Sequence, residues 1–210
     1  MSRPKFVVHM DIYNSFILAL WLIFLVYWAI SAFSMKRSVG ARAGRRSEAG
    51  LRLGIMVVIV LATRISMVSH ALRSGQAYMP SSTLMRIIGV LLCALGVGLS
   101  IWARVTIGRN WGMPMSQKEN PELVTSGPYA FIRHPIYTGV LTAMLGSVIG
   151  HDVIWLLPLI LFGAYFAYSA RREEKLMIEE FPEQYPAYMS RTRMLLPFVL
   201  LNILNLIWLG

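Results

Sequence analysis

The stretch "SGPYAFIRHPIYTG", Ser126 to Gly139, sets Arg, His, two Tyr and two Pro directly against Val140–Ala170, a run that is almost wholly apolar. Its local physics is specific. Gly127-Pro128 forms a turn just before Tyr129. Pro135 suits the first position of a helix, where its missing N–H costs nothing. The same proline pushes His134 out of helical dihedrals into an extended shape. His134 therefore stands at a helix entrance, beside backbone N–H groups that favour an anion. Tyr137 projects from the first turn of that helix. Spacing alone leaves two readings level: a pocket lining, or a simple anchor at a membrane interface.

Downstream, the apolar run divides at His151-Asp152 into Pro135–Gly150 and Val153–Ala170. So tight a turn predicts an antiparallel helical hairpin. Its first arm is short for a full span, so the hairpin is shallow or tilted. The hairpin returns the chain to its starting face, so Arg133-His134 and Arg172-Glu173-Glu174 emerge together. Seven of the ten acidic residues lie on the two polar segments that bracket it: Glu119, Glu122, Glu173, Glu174, Glu179, Glu180 and Glu183. Arg171–Arg193 is charged and amphipathic. Glu173–Phe181 reads either as a solvated amphipathic helix or as the place where a Glu closes a pocket and binds a cation. "FPEQYPAY" (181–188) reads as a turn that packs back on the core.

Upstream, the composition is that of an integral membrane protein. Of 210 residues, 56% are hydrophobic and 14% charged, too apolar for a soluble domain of this length. The net charge of +10 does not point to nucleic acid, because the charges sit between long apolar runs. Loops on a cytoplasmic face collect Lys and Arg for another reason. Ile12–Met35 carries no charge over 24 residues and is long enough to span a bilayer. It is too long for the apolar core of a signal peptide and lacks a clear cleavage site. Met35–Arg52 is a polar loop. Leu53–Leu72 is a second span carrying Arg64 and His70; a charge within a span invites a functional reading, although snorkelling to the interface accounts for it more simply.

Ile87–Ala103 is uncharged, with Gly89/Cys93 and Ala94/Gly98 each four apart, as small residues are where helix backbones approach closely in membranes. Cys93, the sole cysteine, reads as packing rather than nucleophile. Thr106–His134 is a long polar connection of the kind that carries function. Met194–Gly210, broken by Pro197, Asn202 and Asn205, is marginal for a span.

Segments 35–52, 104–134 and 171–193 hold 15 of the 20 Lys and Arg. Placed together on the cytoplasmic side, they put the N-terminus outside. The expected fold is all-α: a polytopic membrane bundle of about five transmembrane helices, with a C-terminal hairpin and a cytoplasmic cofactor pocket. Three parts are expected: N-terminal transmembrane helices over 1–105, a core over 106–197, and an apolar C-terminal helix over 198–210. No glycine-rich phosphate loop, zinc-ligand spacing or serine elbow occurs.

"LVTSGPYAFIRHPIYTG" (123–139), followed after the hairpin by "EEKLMIEEFPEQYPAY" (173–188), resembles the isoprenylcysteine carboxyl methyltransferase family, whose broader pattern phospholipid N-methyltransferases share. The likeness covers roughly Gly108–Pro197. It implies S-adenosylmethionine as methyl donor, held in a pocket unlike a Rossmann domain. Carried over by motif, Leu123, Val124, Tyr129, His134, Pro135, Ile136 and Tyr137 would surround the cofactor. Ser116, Pro121 and Glu122 would line it from the connecting loop.

Glu173 matches a glutamate that the family places near the substrate, with Arg172 and Arg133 as cations able to orient a carboxylate. One departure stands out. Animal prenylcysteine enzymes carry a basic residue four before that glutamate, and here the position is Ser169. The resemblance implies a lipophilic or lipidated acceptor arriving from the bilayer among membrane lipids, foremost the carboxylate of a prenylated cysteine or a similar lipid acid. A phospholipid or amine acceptor is the alternative. Two further readings stay open beside it: an NADPH-dependent membrane reductase, since sterol reductases carry a related C-terminal pattern, and a non-enzymatic carrier with Arg64 and His70 lining a path.

Overall fold

The structure is a computed structural model and describes residues 12–32, 82–108, 122–151 and 153–195. Ser116, Pro121, Arg64, His70, the 53–72 span and the 198–210 helix lie outside them. The described residues form five α-helices: α1 (Ile12–Ala32), α2 (Thr83–Ile107), α3 (Pro135–Gly150), α4 (Leu156–Glu180) and α5 (Gln184–Arg191). Among them there is no named strand. A single isolated parallel bridge pairs Ile132 with Arg193.

Two of these helices, α1 and α2, are long and apolar enough to cross a membrane, while α3 is apolar but shorter. Their outward faces agree. Leu22, Ile30, Leu91, Leu95 and Val105 are exposed, and such apolar stripes need lipid rather than water. The chain is a helical membrane protein.

The core seam is α2 against α3, and it is made by removing side chains. Gly89, Cys93, Gly96 and Ser100 on α2 are buried, as are Gly139, Ala143, Gly146, Ser147 and Gly150 on α3. Both sets recur at three and four residues, which places each on one helical face. The backbones touch: a Cβ on Gly146 would stand 2.5 Å from both the Cys93 nitrogen and the Gly89 carbonyl oxygen. Ser100 and Ser147 satisfy their hydroxyls on the carbonyls of Gly96 and Ala143, each at 3.0 Å. These two hydroxyls therefore sit in the seam with their bonds made, whereas that of Thr138, buried on α3, meets no partner among the described residues.

The Gly89/Cys93 pair lies in this seam as its spacing predicts. The Ala94/Gly98 pair does not: Gly98 is exposed, and a Cβ there would meet nothing within 4 Å. Two faces of α2 carry small residues at the same spacing, and only one of them meets α3.

Helix α1 packs across the pair through Ile17 and Phe24, which join Cys93, Val97 and Ala143 in the core. Two polar bonds fix its level. The Trp21 indole donates to Ser147 Oγ at 3.0 Å, and the Arg104 guanidinium donates to the Ser31 carbonyl at 2.7 Å. Arg104 also donates to the Gly108 carbonyl at 2.7 Å, tying the end of α2 to the end of α1.

The hairpin turns at His151, through a short 3₁₀ turn at Val153–Trp155. Helix α4 then runs unbroken to Glu180, past the expected boundary at Ala170. No Gly or Pro lies between Ala164 and Phe181, so nothing stops the helix when the sequence turns from apolar to charged. It ends at Phe181, just before Pro182, where proline cannot continue it.

Candidate functional site

The turn that begins the site is built where it must be. Gly127 has φ +57°, a region that suits glycine. A Cβ there would also come within 2.9 Å of Thr106 Oγ1 on α2. Pro128 and Tyr129 follow in a 3₁₀ turn and are buried. His134 has φ −122° and ψ 64°, outside the helical region, and Pro135 occupies the first position of α3. The Thr138 N–H returns to the His134 carbonyl at 3.1 Å, closing the first turn.

His134 and Tyr137 stack with ring centroids 5.5 Å apart, and Tyr137 stacks on Phe166 of α4 at 4.4 Å. This row of three rings spans the base of the hairpin. Above it the ionisable groups converge. The Tyr137 hydroxyl donates to Glu173 Oε1 at 2.5 Å. The other Glu173 oxygen faces His134 Nδ1 at 3.4 Å, and His134 Nε2 stands 3.5 Å from Glu174 Oε1. Arg133 Nε donates to that same Glu174 oxygen at 2.6 Å. The result is a linear chain of groups, Tyr137–Glu173–His134–Glu174–Arg133, drawn from two helix ends more than 30 residues apart.

Burial alone would lower the His134 pKa. The two carboxylates, through hydrogen bonding and charge, outweigh it and raise the pKa above the ordinary 6.5. The imidazolium form is thus favoured. Burial alone would raise the Glu174 pKa, but His134 and Arg133 hold it below the ordinary carboxylate value. Two cations and two anions therefore balance in a partly desolvated cluster, where each depends on the others. Burial pushes the Tyr129 phenol up, and the Tyr188 phenol up to about 12. Both are neutral hydrogen-bonding groups at physiological pH.

The expected site residues fall into three groups. His134, Pro135 and Tyr129 are buried, and Ile136 and Tyr137 are half-buried around them. Leu123 and Val124 are half-buried, and Glu122 is exposed. Of the acidic pair, Glu173 is half-buried and Glu174 buried, while Arg172 is exposed. Arg133 stands apart from the expectation of a cation that meets an acceptor. Beyond Glu174, its NH1 donates to the Thr192 carbonyl at 2.5 Å and the Met189 carbonyl at 3.2 Å.

The sequence brings Glu174 to this face with Glu173 and packs 181–188 back on the core, but it assigns no site role to Glu174, Phe166, Tyr188 or Thr192, all of which touch the site. Glu174 is one helical step from Glu173 and equally acidic, so composition could not rank them. Phe166, Tyr188 and Thr192 lie in segments whose polarity gives no sign of their partners. The Tyr188 hydroxyl donates to the Tyr129 carbonyl at 2.6 Å, and Thr192 Oγ1 donates to the Tyr188 carbonyl at 2.7 Å.

With this geometry in view, the comparisons are informative. A protein-family model described as phospholipid methyltransferase matches residues 84–184, the stretch from the start of α2 to the start of α5. Over that stretch the chain is similar to the phospholipid methyltransferase family, and curated isoprenylcysteine methyltransferases share the likeness. A protein-S-isoprenylcysteine O-methyltransferase of Schizosaccharomyces pombe is 30% identical over 112 residues, 51% of this chain and 47% of that protein. A cobalt-zinc-cadmium resistance protein of Cupriavidus metallidurans is 32% identical over 114 residues, 52% of this chain and 51% of that protein. A nickel-cobalt-cadmium resistance protein of Alcaligenes xylosoxydans xylosoxydans is 28% identical over 149 residues, 70% of this chain and 64% of that protein. The chain thus spans about half to two thirds of the length of these relatives. The methyltransferase match begins within α2, so the family unit includes the α2–α3 seam and is not confined to the loop and hairpin.

Proposed function

We propose that this chain is an integral membrane methyltransferase that moves a methyl group from S-adenosylmethionine to a lipophilic acceptor, foremost the carboxylate of a prenylated cysteine or a similar lipid acid. The observation that carries the reading is the joined cluster Tyr137–Glu173–His134–Glu174–Arg133 at the base of the hairpin, inside the matched methyltransferase stretch. Its residues fit the cofactor. His134 Nε2 is buried and faces Glu174 Oε1 only at the long distance of 3.5 Å, with no well-formed hydrogen bond of its own. Carboxylates suit an ammonium, and the neighbouring rings offer apolar faces to a flat heterocycle. Leu123, Val124, Tyr129, His134, Pro135, Ile136 and Tyr137 would hold it, with Ser116, Pro121 and Glu122 closing the loop side.

When bound, S-adenosylmethionine supplies an electrophilic methyl carbon on a sulfonium sulfur. The chain's own residues have to align the acceptor, and positioning is the main catalytic contribution open to them. A carboxylate acceptor is ionised at neutral pH and needs no base. Arg172, next to Glu173 in sequence and exposed, would be the cation that orients it, since the Arg133 guanidinium is already engaged. An amine acceptor needs a base, and Glu173 is the candidate. Both Glu173 oxygens already face partners, Tyr137 and His134, which favours the carboxylate reading. A full anion against the sulfonium would stabilise the ground state more than the transition state, so Glu173 belongs with the acceptor or the cofactor ammonium. The family's phospholipid methyltransferase description keeps amine methylation as a second reading. The polytopic arrangement with the site facing the cytoplasm belongs to the same proposal, supported by the nine Lys and Arg residues of 104–134 and 171–193, since it is Lys and Arg rather than net charge that set orientation.

Calorimetry of the purified protein with S-adenosylhomocysteine tests the cofactor. Binding by wild type and its loss in His134→Ala are expected. No binding by wild type, or unchanged binding in the variant, would sink the reading. Incubation with radiolabelled cofactor and a lipid extract identifies the acceptor: a base-labile methyl ester is expected, and a base-stable N-methyl product would shift the assignment to amines.

A further inference from the structure

The C-terminal end of the described chain, beyond the matched methyltransferase stretch, returns to grip the opening motif at five points. The Arg133 N–H donates to the Arg193 carbonyl at 2.7 Å, and the His134 N–H to the Met194 carbonyl at 3.1 Å. In the other direction, the Arg193 N–H donates to the Phe131 carbonyl at 3.1 Å. The Tyr188 hydroxyl caps the Tyr129 carbonyl at 2.6 Å, and the Arg133 guanidinium reaches the Thr192 carbonyl. Tyr188 and Thr192, which make these contacts, are buried, as are Tyr185 and Leu195 in the same segment.

These five bonds bear on four residues of the Tyr129–His134 segment: Tyr129, Phe131, His134 and, twice, Arg133. Past the 3₁₀ turn at Gly127–Ala130 the segment has no helix or strand of its own before Pro135, so its remaining backbone groups need partners from elsewhere. Residues 188–194 supply them. The same bonds fix the orientation of Arg133, hence of Glu174, hence of His134 between its two carboxylates. A shift of about 1 Å in a reacting group can cost about 100-fold in rate, so a segment that sets the backbone at Arg133 and His134 has leverage on the site without touching a ligand.

We infer that Tyr188–Met194 is a clamp that sets the register of the Tyr129–His134 segment, with Tyr188 and Thr192 as positioning residues for methyl transfer. The inference rests on the cofactor reading for its effect on the reaction, but not for the clamp itself. Its hub is Arg133, which acts as the link between the clamp and the Glu174–His134 pair.

Three variants test it: Tyr188→Phe, which removes one hydroxyl; Thr192→Val, which removes another at nearly constant shape; and Thr192→Ser, which restores it. Ser190→Ala is the control, since its hydroxyl bonds only to the Ala187 carbonyl of its own helix. The first readout is amide exchange in detergent over residues 129–134. At least tenfold faster exchange is expected in Tyr188→Phe and Thr192→Val, with protection near wild type in Thr192→Ser and Ser190→Ala. The second is methyl transfer, where a several-fold rise in KM for S-adenosylmethionine is expected in the first two variants, with Thr192→Ser again rescuing. Unchanged exchange in both would overturn the clamp, whatever the protein binds. Faster exchange in a protein whose wild type binds no adenosyl cofactor would leave the clamp standing and sink the cofactor reading. Faster exchange with unaltered KM and kcat would overturn the positioning roles.

Discussion

From Gly139 to Gly150, α3 meets α2 backbone to backbone, with no charge and few side-chain atoms between them. At its entrance the same helix meets α4 and the C-terminal segment through ring faces, carboxylates and a guanidinium. The seam gains its stability from close van der Waals approach, which tolerates no added atom. The entrance gains its order from directed polar bonds, which depend on charge state and on each partner being present. One helix thus joins a rigid support to a tunable site, and the two ends should fail in different ways.

The seam should fail by volume. Gly146→Val would drive a branched side chain into the Cys93 nitrogen and Gly89 carbonyl, where even a Cβ would stand at 2.5 Å. Neither neighbour is a side chain that can swing away. The expected loss exceeds the ~3 kcal/mol of ordinary overpacking, and the variant should give little folded protein in detergent by circular dichroism and size exclusion. A monodisperse Gly146→Val with a wild-type melting curve would show that the seam is looser than it is drawn here.

The entrance should fail by charge. Glu174→Ala leaves Arg133 and His134 partly buried without their shared anion. Breaking such pairs costs about 3–5 kcal/mol when fully buried. The side chains here are about one-tenth exposed, and His134 retains Glu173, so about 2–3 kcal/mol is expected on the same footing. Glu174→Gln should recover part of this, because its amide oxygen still accepts from Arg133. The comparison would break if alanine and glutamine were equal in thermal unfolding, since shape rather than charge would then be what Glu174 contributes.

A pH scan separates the two regions further. The folded-state pKa of His134 lies above 6.5. Its contribution is full below pH 6.5 and declines as pH rises through the raised value. That of Glu174 lies below 4.5, so its contribution is full above pH 4.5 and declines as pH falls through the lowered value. Both are present between pH 4.5 and 6.5. Stability should therefore be greatest there and decline on both sides, and His134→Gln should flatten the alkaline decline. An alkaline limb that persists unchanged in His134→Gln would assign it to another group.

How far the sequence could be read follows the same division. The helix entrance at Pro135, the turn at Gly127-Pro128 and the meeting of Arg133-His134 with Glu173-Glu174 were legible, because proline and glycine act locally and a hairpin has simple geometry. The continuation of α4 past Ala170 was not, because the sequence turns from apolar to charged there while the helix runs on to Glu180. The role of Arg133 was also hidden. An Arg beside a His at a membrane face looks like a ligand-binding cation until the Thr192 and Met189 carbonyls, more than 50 residues away, are seen to occupy it. Long-range polar partners leave no periodic trace. Small-residue spacing leaves too many, as α2 shows with two such faces.

That ambiguity yields the smallest effect and the sharpest contrast. Gly98 lies in the middle of α2, two residues from Gly96, and both belong to runs of small residues. A Cβ on Gly96 would collide with the Ala143 backbone and the Gly139 carbonyl, whereas one on Gly98 would meet nothing within 4 Å. Glycine within a helix costs about 0.5–1 kcal/mol relative to alanine through backbone entropy. Gly98→Ala should therefore raise the melting temperature slightly or leave it unchanged, while Gly96→Ala lowers it clearly. The two substitutions add the same atom to the same helix two residues apart, so their difference isolates what the seam demands. Equal losses would show that a further neighbour seats against the Gly98 face, and the second row of small residues on α2 would then be an interface in its own right.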